Sequence, residues 1–355
     1  MDMQQFEGRK KAHIQLALDP ANQAGGRGGL DTIHLVHEAL PDLDLNEVQL
    51  QSQILKRFSK TPYFVAGITA GHALAPQINR TLAEACQERG WAMGVGSQRR
   101  DLEAFQAGLG TSSVEVDHWR LLRKDVPRLA LFANIGISQL VTASLDDLKR
   151  LVDSVEAQAL VIHANALQEA IQTEGTPQFK NSTAALKKVC SELGVPVVLK
   201  ETGCGFSHAT LRRLRDFGLA AIDVSGMGGT HWGRIEGARA HPESIFAITS
   251  RTFANWGELT VDAVRAARSE LSSSTEIWAS GGVRTGLDAA KLIALGAHQV
   301  GFAKPALEAA LEGPEALRKW MEAREYELKV ALFCTGTKTP QALREKEGVW
   351  TTAAV

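Results

Sequence analysis

Ala159-Leu160-Val161-Ile162-His163-Ala164-Asn165-Ala166-Leu167-Gln168-Glu169 is the stretch that decides how this chain folds. Four apolar residues in a row, Ala159 to Ile162, suit a strand covered on both faces, as in a parallel sheet wrapped by helices. An imidazole, two carboxamides and a carboxylate then follow between His163 and Glu169. Side chains alternate along a strand, so His163 and Asn165 are expected to point the same way at its carboxyl end, with Gln168 and Glu169 on the loop just beyond. A polar site on the rim of a barrel is built in this way.

The same grammar extends along the chain. From about Thr61 onward short apolar runs alternate with longer amphipathic ones, the signature of βα units. The strand candidates are Tyr63 to Ala66, Ala92 to Val95, Ala130 to Ala133, Ala159 to Ile162, Val197 to Leu199, Ala221 to Val224, Ile277 to Ala279 and Gln299 to Gly301. Helical patterns lie between them, among them Pro76 to Arg89, Ser182 to Leu193 and Leu287 to Leu295. Eight such units close most simply into an α/β (β/α)8 TIM barrel, with functional residues at the carboxyl ends of the strands. Two stretches stand outside the repeat. Residues 1–60 read as an N-terminal arm and lid with a basic cluster, Arg9, Lys10 and Lys11, and a glycine-rich segment, Gly25 to Gly29. Residues 230–257 read as an insertion after the sixth strand, carrying Trp232 and Trp256. Residues 61–355 form the barrel, and the whole is expected to be one structural domain.

Composition narrows the function. Lys and Arg number 39 against 40 Asp and Glu, so no basic stripe of the kind that nucleic acid requires is indicated. A small-molecule substrate is the natural partner. Four cysteines, Cys86, Cys190, Cys204 and Cys334, form no C-x-x-C pair and suit a reducing cytosol. The first eleven residues are polar and no stretch approaches the roughly 18 apolar residues of a membrane span, so a cytoplasmic protein without membrane contact is expected.

The next signal is a phosphate site. Ser280-Gly281-Gly282-Val283-Arg284-Thr285-Gly286 follows the seventh strand and Ala303-Lys304-Pro305 follows the eighth, each opening a helix. Glycines let backbone N–H groups turn toward an anion, helix amino termini favour negative charge, and these two loops are where barrels usually hold a ligand phosphate. Gly-Gly alone is as readily a tight turn; the pairing with the eighth loop favours phosphate. Thr69, Ser97, Asn134, Lys200 and Ser225 end or follow other strands. A lysine directly after a buried strand needs a partner, either negative charge on a cofactor or a rim carboxylate such as Glu201. Other motifs fail: Gly226-Met227-Gly228-Gly229 breaks the dinucleotide spacing, His34 and His37 lack the H-E-x-x-H arrangement, and no serine sits in a G-x-S-x-G elbow.

Taken in order, Arg9-Lys10-Lys11-Ala12-His13, Met93 to Arg99, His163 to Glu169, Gly175-Thr176-Pro177, Val198 to Gly203, Val224 to Thr230 and Ser280 to Arg284 form a set that covers nearly the whole chain. In this set the chain resembles the type 2 isopentenyl-diphosphate Δ-isomerases, flavin-dependent barrels that interconvert isopentenyl and dimethylallyl diphosphate in isoprenoid biosynthesis. The resemblance implies flavin mononucleotide (FMN), active in its reduced form, held by Ile68, Thr69, Ala70, Ser97, Asn134, Lys200, Ser225, Thr230, Gly282, Val283, Arg284, Ala303 and Lys304. It implies a diphosphate substrate held by Arg9, Lys10, His13, Ser97, Arg99 and Gln168, a Mg²⁺ ion on Glu169, NADPH as reductant, and a homo-oligomer of four or eight chains. His163, Asn165 and Gln168 are the expected catalytic residues. One departure stands out: where the family reads Ala-Met-Thr-Gly-Gly, this chain has Gly67-Ile68-Thr69-Ala70-Gly71. The alternative is an oxidoreductase similar to the FMN-dependent 2-hydroxy-acid oxidases, which share the Gly-Gly-Val-Arg loop. That class places a histidine after the sixth strand, where this chain has Met227.

Overall fold

A computed structural model of the protein describes residues 3–68, 73–108 and 114–353. Eight parallel strands close into one barrel in chain order. They are β1 (Tyr63–Val65), β2 (Ala92–Gly94), β3 (Leu131–Gly136), β4 (Ala159–Ala164), β5 (Val197–Glu201), β6 (Ala221–Asp223), β7 (Glu276–Ala279) and β8 (Gln299–Phe302). Each falls on a sequence-predicted run. Helices such as Ala75–Arg89, Ser182–Glu192 and Gly286–Leu295 cross back outside the sheet where their periodicity placed them.

The unbroken apolar runs serve two layers at once. In β4, Leu160 and Ile162 face the helices, while Ala159 and Val161 face the barrel axis. The interior is filled by Phe64, Phe132, Val161, Val198 and Trp278, with small residues such as Ala92, Ala159 and Ala221 between them. Gly301 is required here, because a Cβ at that position would stand 2.4 Å from the Phe64 ring. This interior is a packed core and not a channel.

Period two then turns packing into placement. Counting two residues on from each inward apolar side chain, Phe132 leads to Asn134, Val161 to His163, Val198 to Lys200, Ala221 to Asp223 and Trp278 to Ser280. A polar layer therefore sits directly above an apolar floor, on the carboxyl side. The opposite end is closed by a hairpin, Ser52–Ile54 paired with Arg57–Ser59. Its Ile54 and Leu55 pack on the interior cluster, and Gln299 Nε2 donates to Gln53 O at 2.6 Å.

Residues 1–60 divide between two jobs. Helix Met3–Leu18 lies at the barrel mouth, with Ile14 and Ala17 among the residues bordering the cavity there. Leu30, Ile33 and Val48 belong to the main core, and Ile33–Leu35 pairs antiparallel with Trp350–Thr352 near the other end of the chain. The glycine-rich segment, read from sequence as part of the arm and lid, is tied down. Ala24 N donates to Gly229 O at 2.6 Å, Val261 N to Gly28 O at 3.0 Å, and Arg27 pairs with Asp288 at 2.7 Å. The insertion after β6 forms two helices, Trp232–Arg239 and Ile245–Thr252.

Phe132 is 1% exposed and packs against Trp278 with ring centroids 5.3 Å apart. Truncation to alanine should lower the unfolding free energy by about 3 to 5 kcal/mol, read as a lower urea midpoint at unchanged slope. A midpoint within experimental error of the unmodified protein would contradict the packed interior.

Candidate active site

The carboxyl ends of the strands open into one cavity of about 480 Å³. Ile68, Ser97, Asn134, His163, Lys200, Ser225, Thr230, Gly282, Val283, Arg284, Ala303 and Lys304 border it, and so do Arg9, His13, Arg99, Gln168 and Glu169. Seventeen positions scattered over the sequence are thus brought to a single mouth. Thr69 and Ala70 lie outside the described residues, as does the side chain of Lys10.

At one end stand the glycine loops. Gly281 and Gly282 take φ of 98° and 85°, in the left-handed region. A Cβ on Gly281 would stand 2.2 Å from Gly226 O, and one on Gly282 2.2 Å from Gly228 O. The loops after β6 and β7 therefore meet backbone to backbone, a contact that only glycine permits. Arg284 stitches them, donating from Nη1 to Gly282 O at 3.0 Å and from Nη2 to Gly228 O at 3.2 Å. Ser225, at φ 35°, holds a strained backbone at the end of β6, a cost that positions the turn. Lys304 opens helix Lys304–Glu312 at the same end. Two cations, glycine backbone and a helix amino terminus converge there, the donor set of a phosphate site.

The polar layer forms the floor. Asn134 Nδ2 donates to Val95 O at 3.0 Å, which leaves Oδ1 as the acceptor facing His163 Nδ1 at 2.8 Å. That pairing puts the imidazole proton on Nδ1 and makes Nε2 the acceptor of the neutral ring. Lys200 Nζ donates to Glu201 O at 2.8 Å and to Ser280 Oγ at 3.2 Å. It also stands 2.9 Å from Asp223 Oδ2, off the hydrogen-bonding direction, so that contact is an ion pair. Glu201 points outward and is 6% exposed; Oε2 receives the backbone N–H groups of Thr202, Gly203, Cys204 and Gly205 at 2.5 to 3.2 Å. Burial pushes its carboxyl up to about 7 against those donors.

At the mouth, Gln168 and Glu169 stand on a short helix, Ala166–Ile171, and not on the loop that the sequence suggested. The reason is Asn165. Its Oδ1 accepts from Gln168 N at 2.8 Å, capping that helix, and its Nδ2 donates to Thr202 Oγ1 at 2.6 Å. Asn165 is 4% exposed and is not among the residues bordering the cavity; through these two bonds it positions Gln168 and Glu169. Glu169 Oε2 accepts from Thr176 N at 2.6 Å, which explains the Gly175-Thr176-Pro177 signature.

Sequence reading missed the centre of this region. Glu236, on the insertion helix and 2% exposed, accepts from Gln168 Nε2 at 3.1 Å, faces His13 Nε2 at 2.9 Å and pairs with Arg239. Gln172, with its amide donating to Glu236 at 3.0 Å, accepts from Arg9 at 3.1 Å. Arg239 continues to Glu174 at 2.7 Å. One buried carboxylate thus joins the arm helix, the β4 helix and the insertion. Its sequence trace is only an Ile-Glu-x-x-Arg spacing.

Burial alone would raise the Glu236 carboxyl, but the His13 hydrogen bond and the His13 and Arg239 charges hold it below its usual value. A depressed carboxyl contributes stability that is complete above the unfolded value, about 4.3, and is lost as pH falls through the folded one. The stability advantage of the unmodified protein over Glu236→Gln should therefore be present at about pH 6 and shrink as the pH falls below about 5. Urea titrations at several pH values check this, and a difference independent of pH would refute it.

A profile of the FMN-dependent dehydrogenase family matches residues 102–350. The isopentenyl-diphosphate delta-isomerase of Legionella pneumophila (strain Corby) is 51% identical over 342 residues, covering 96% of this chain and 97% of that one. The isopentenyl-diphosphate delta-isomerase of Bdellovibrio bacteriovorus (strain HD100) is 48% identical over 349 residues, covering 97% of each. Among solved structures, mandelate oxidase with (S)-2-phenylpropionate superimposes with a TM-score of 0.64 at 20% identity, covering 99% of both chains. A flavocytochrome b2 mutant with pyruvate bound reaches 0.69 at 15% identity, covering 97% of this chain and 82% of that one. The solved structures share the barrel; the relatives share half of the residues as well. The chain belongs to the isopentenyl-diphosphate delta-isomerase family, built on the barrel of the FMN-dependent dehydrogenases.

Proposed function

We propose that this protein interconverts isopentenyl and dimethylallyl diphosphate, using FMN in its reduced form and Mg²⁺ on the diphosphate, as a step of isoprenoid biosynthesis. The observation that carries the reading is a single cavity with a phosphate cradle at Gly282, Arg284 and Lys304, a lysine floor at Lys200, and Arg9, Arg99, Gln168 and Glu169 at the mouth. NADPH as reductant and a homo-oligomer of four or eight chains complete the proposal by family resemblance, and a cytoplasmic site of action by the unpaired cysteine spacing and polar amino terminus. No described helix is long and apolar enough to cross a membrane.

The residues present fit the FMN phosphate: the glycine loops turn backbone toward the cavity, and Arg284 and Lys304 supply positive charge beside them. A metal fits differently. Among the described residues no three His, Cys, Asp or Glu side chains form a cage. Mg²⁺ needs only one or two protein carboxylates when phosphate oxygens and water complete its shell, so Glu169 suffices.

The reaction adds one proton to the terminal alkene carbon and removes one from the carbon next to the oxygen-bearing one, with no net oxidation. When bound, reduced FMN supplies an electron-rich ring that can exchange a proton beside the alkene. The chain supplies the rest. Arg9 and Arg99 meet the diphosphate with charge-assisted hydrogen bonds. The arm helix covers the mouth and excludes water, which a cation-like alkene state requires. Ile14, Ile68, Trp232 and Leu307 give the hydrocarbon an apolar wall. Gln168, held by Glu236, orients the substrate, and His163 presents Nε2 as an acceptor for a proton. The oxidase alternative shares the barrel, but Met227 stands where that class has its histidine base.

Purified protein mixed anaerobically with FMN, Mg²⁺, isopentenyl diphosphate and a reductant should form dimethylallyl diphosphate, and oxidised FMN alone should not support turnover. Equal product with oxidised FMN would overturn the mechanism; turnover of lactate or glycolate with flavin bleaching would favour the oxidase. Glu169→Ala and Gln168→Ala should both lower kcat/KM by about a hundredfold or more, an interaction worth about 3 kcal/mol to a charged group. Excess Mg²⁺ should partly rescue only the former, and equal rescue of both would remove Glu169 as the metal ligand.

A further inference from the structure

Asp223 is a carboxylate that the mechanism above leaves unused. It lies on β6, is 1% exposed, and faces the barrel axis in register with Lys200 of β5. Oδ1 accepts from Ser280 Oγ at 2.8 Å, and that hydroxyl accepts in turn from Lys200 Nζ at 3.2 Å. Oδ2 stands 2.9 Å from Nζ. Lys200, Asp223 and Ser280 thus form a closed triangle at the bottom of the cavity. Beneath it a void of about 20 Å³ is bordered mostly by apolar groups, among them Phe64, Phe132, Val161, Val198 and Trp278, with Asn134 at its edge. Charge in so apolar a place is weakly screened and acts at full strength on whatever occupies the cavity above. The other nearby carboxylate, Glu201, is turned out of the barrel, and one of its oxygens is bound by four backbone N–H groups. Asp223 is therefore the carboxylate in contact with the floor lysine.

We propose that Asp223 is the counter-ion that cancels the charge of Lys200 toward the FMN ring and so sets the redox poise of the bound cofactor. The proposal rests on the reading that FMN fills this cavity. An unopposed lysine would draw the ring toward its negatively charged reduced form. The pair presents a dipole instead of a net charge, which leaves the reduced ring less tightly held and readier to share electron density and a proton with a substrate. Asp223 acts through Lys200, as a positioning residue for charge.

The test is a double-mutant cycle on FMN-loaded protein, with the two-electron midpoint potential and the affinity of the oxidised form for sulfite as readouts. Asp223→Asn keeps the acceptor for Ser280 and removes the charge. It should raise the potential by at least ~30 mV, a tenfold gain in relative affinity for the reduced form, and tighten sulfite binding about tenfold. Lys200→Met should move both the other way. The double variant Lys200→Met with Asp223→Leu should return close to the unmodified protein, because both floors are neutral; replacing both members of a buried pair is also better tolerated than breaking it. Should Asp223→Asn not fold, the double variant against Lys200→Met alone decides. A double variant equal to Lys200→Met, or an Asp223→Asn protein with less than a twofold change in both readouts, would overturn the proposal. Unmodified protein that retains no FMN after reconstitution would instead remove the cofactor reading beneath it, and the FMN content of each preparation separates the two failures.

Discussion

A closed parallel barrel permits two directions for a strand side chain, inward or outward, and everything else in this molecule depends on that alternation. Leu160 and Ile162 bind the helices; Val161 fills the axis. Two residues further on, the same geometry delivers His163 to the polar floor, as it delivers Asn134, Lys200, Asp223 and Ser280 from four other strands. The polar floor is a consequence of the packed core beneath it. Slipping any of these strands by one residue would exchange its functional side chain for one that faces the helices.

Burying that floor creates an electrostatic problem that the fold answers by pairing. A lone ammonium over an aromatic floor would be strongly disfavoured. Asp223 and Ser280 meet it from the next two strands, and Glu201 is stabilised separately by the loop that it folds around itself. The mouth follows the same logic with Glu236, a buried carboxylate surrounded by His13, Gln168 and Arg239. Each buried charge sits where separate chain segments must be held together. The glycine loops do so without charge: Gly281 and Gly282 press on Gly226 and Gly228, and Gly228 presses on Gly28, because no side chain intervenes.

The barrel was legible because strands buried on both faces are apolar without interruption, and all eight were placed within a few residues. Most of the site was legible too, since a polar residue directly after such a run has few reasons to be there. The capping role of Asn165 was not legible, because position in a strand pattern does not distinguish a side chain that faces a ligand from one that caps the next helix. Gln168 and Glu169 were placed on a loop for the same reason. Asp223 could have been found: a carboxylate ending the run Ala221-Ile222-Asp223 breaks an apolar pattern just as Lys200 does. Glu236 carried no such signal, for a glutamate in a helix is ordinarily solvated.

By itself the sequence determined the number and direction of the strands, the positions of the phosphate loops and the family, because these are written in local periodicity and in ordered motifs. It could not determine which buried groups pair. The neighbours of Lys200 come from β6 and β7, and those of Gln168 from an insertion some 70 residues away, 68 positions along the chain to Glu236. Ionic pairing depends on distances of about 3 Å and on exclusion of water. Both arise only when segments remote in sequence are closed around one cavity, so the tertiary structure alone decided them.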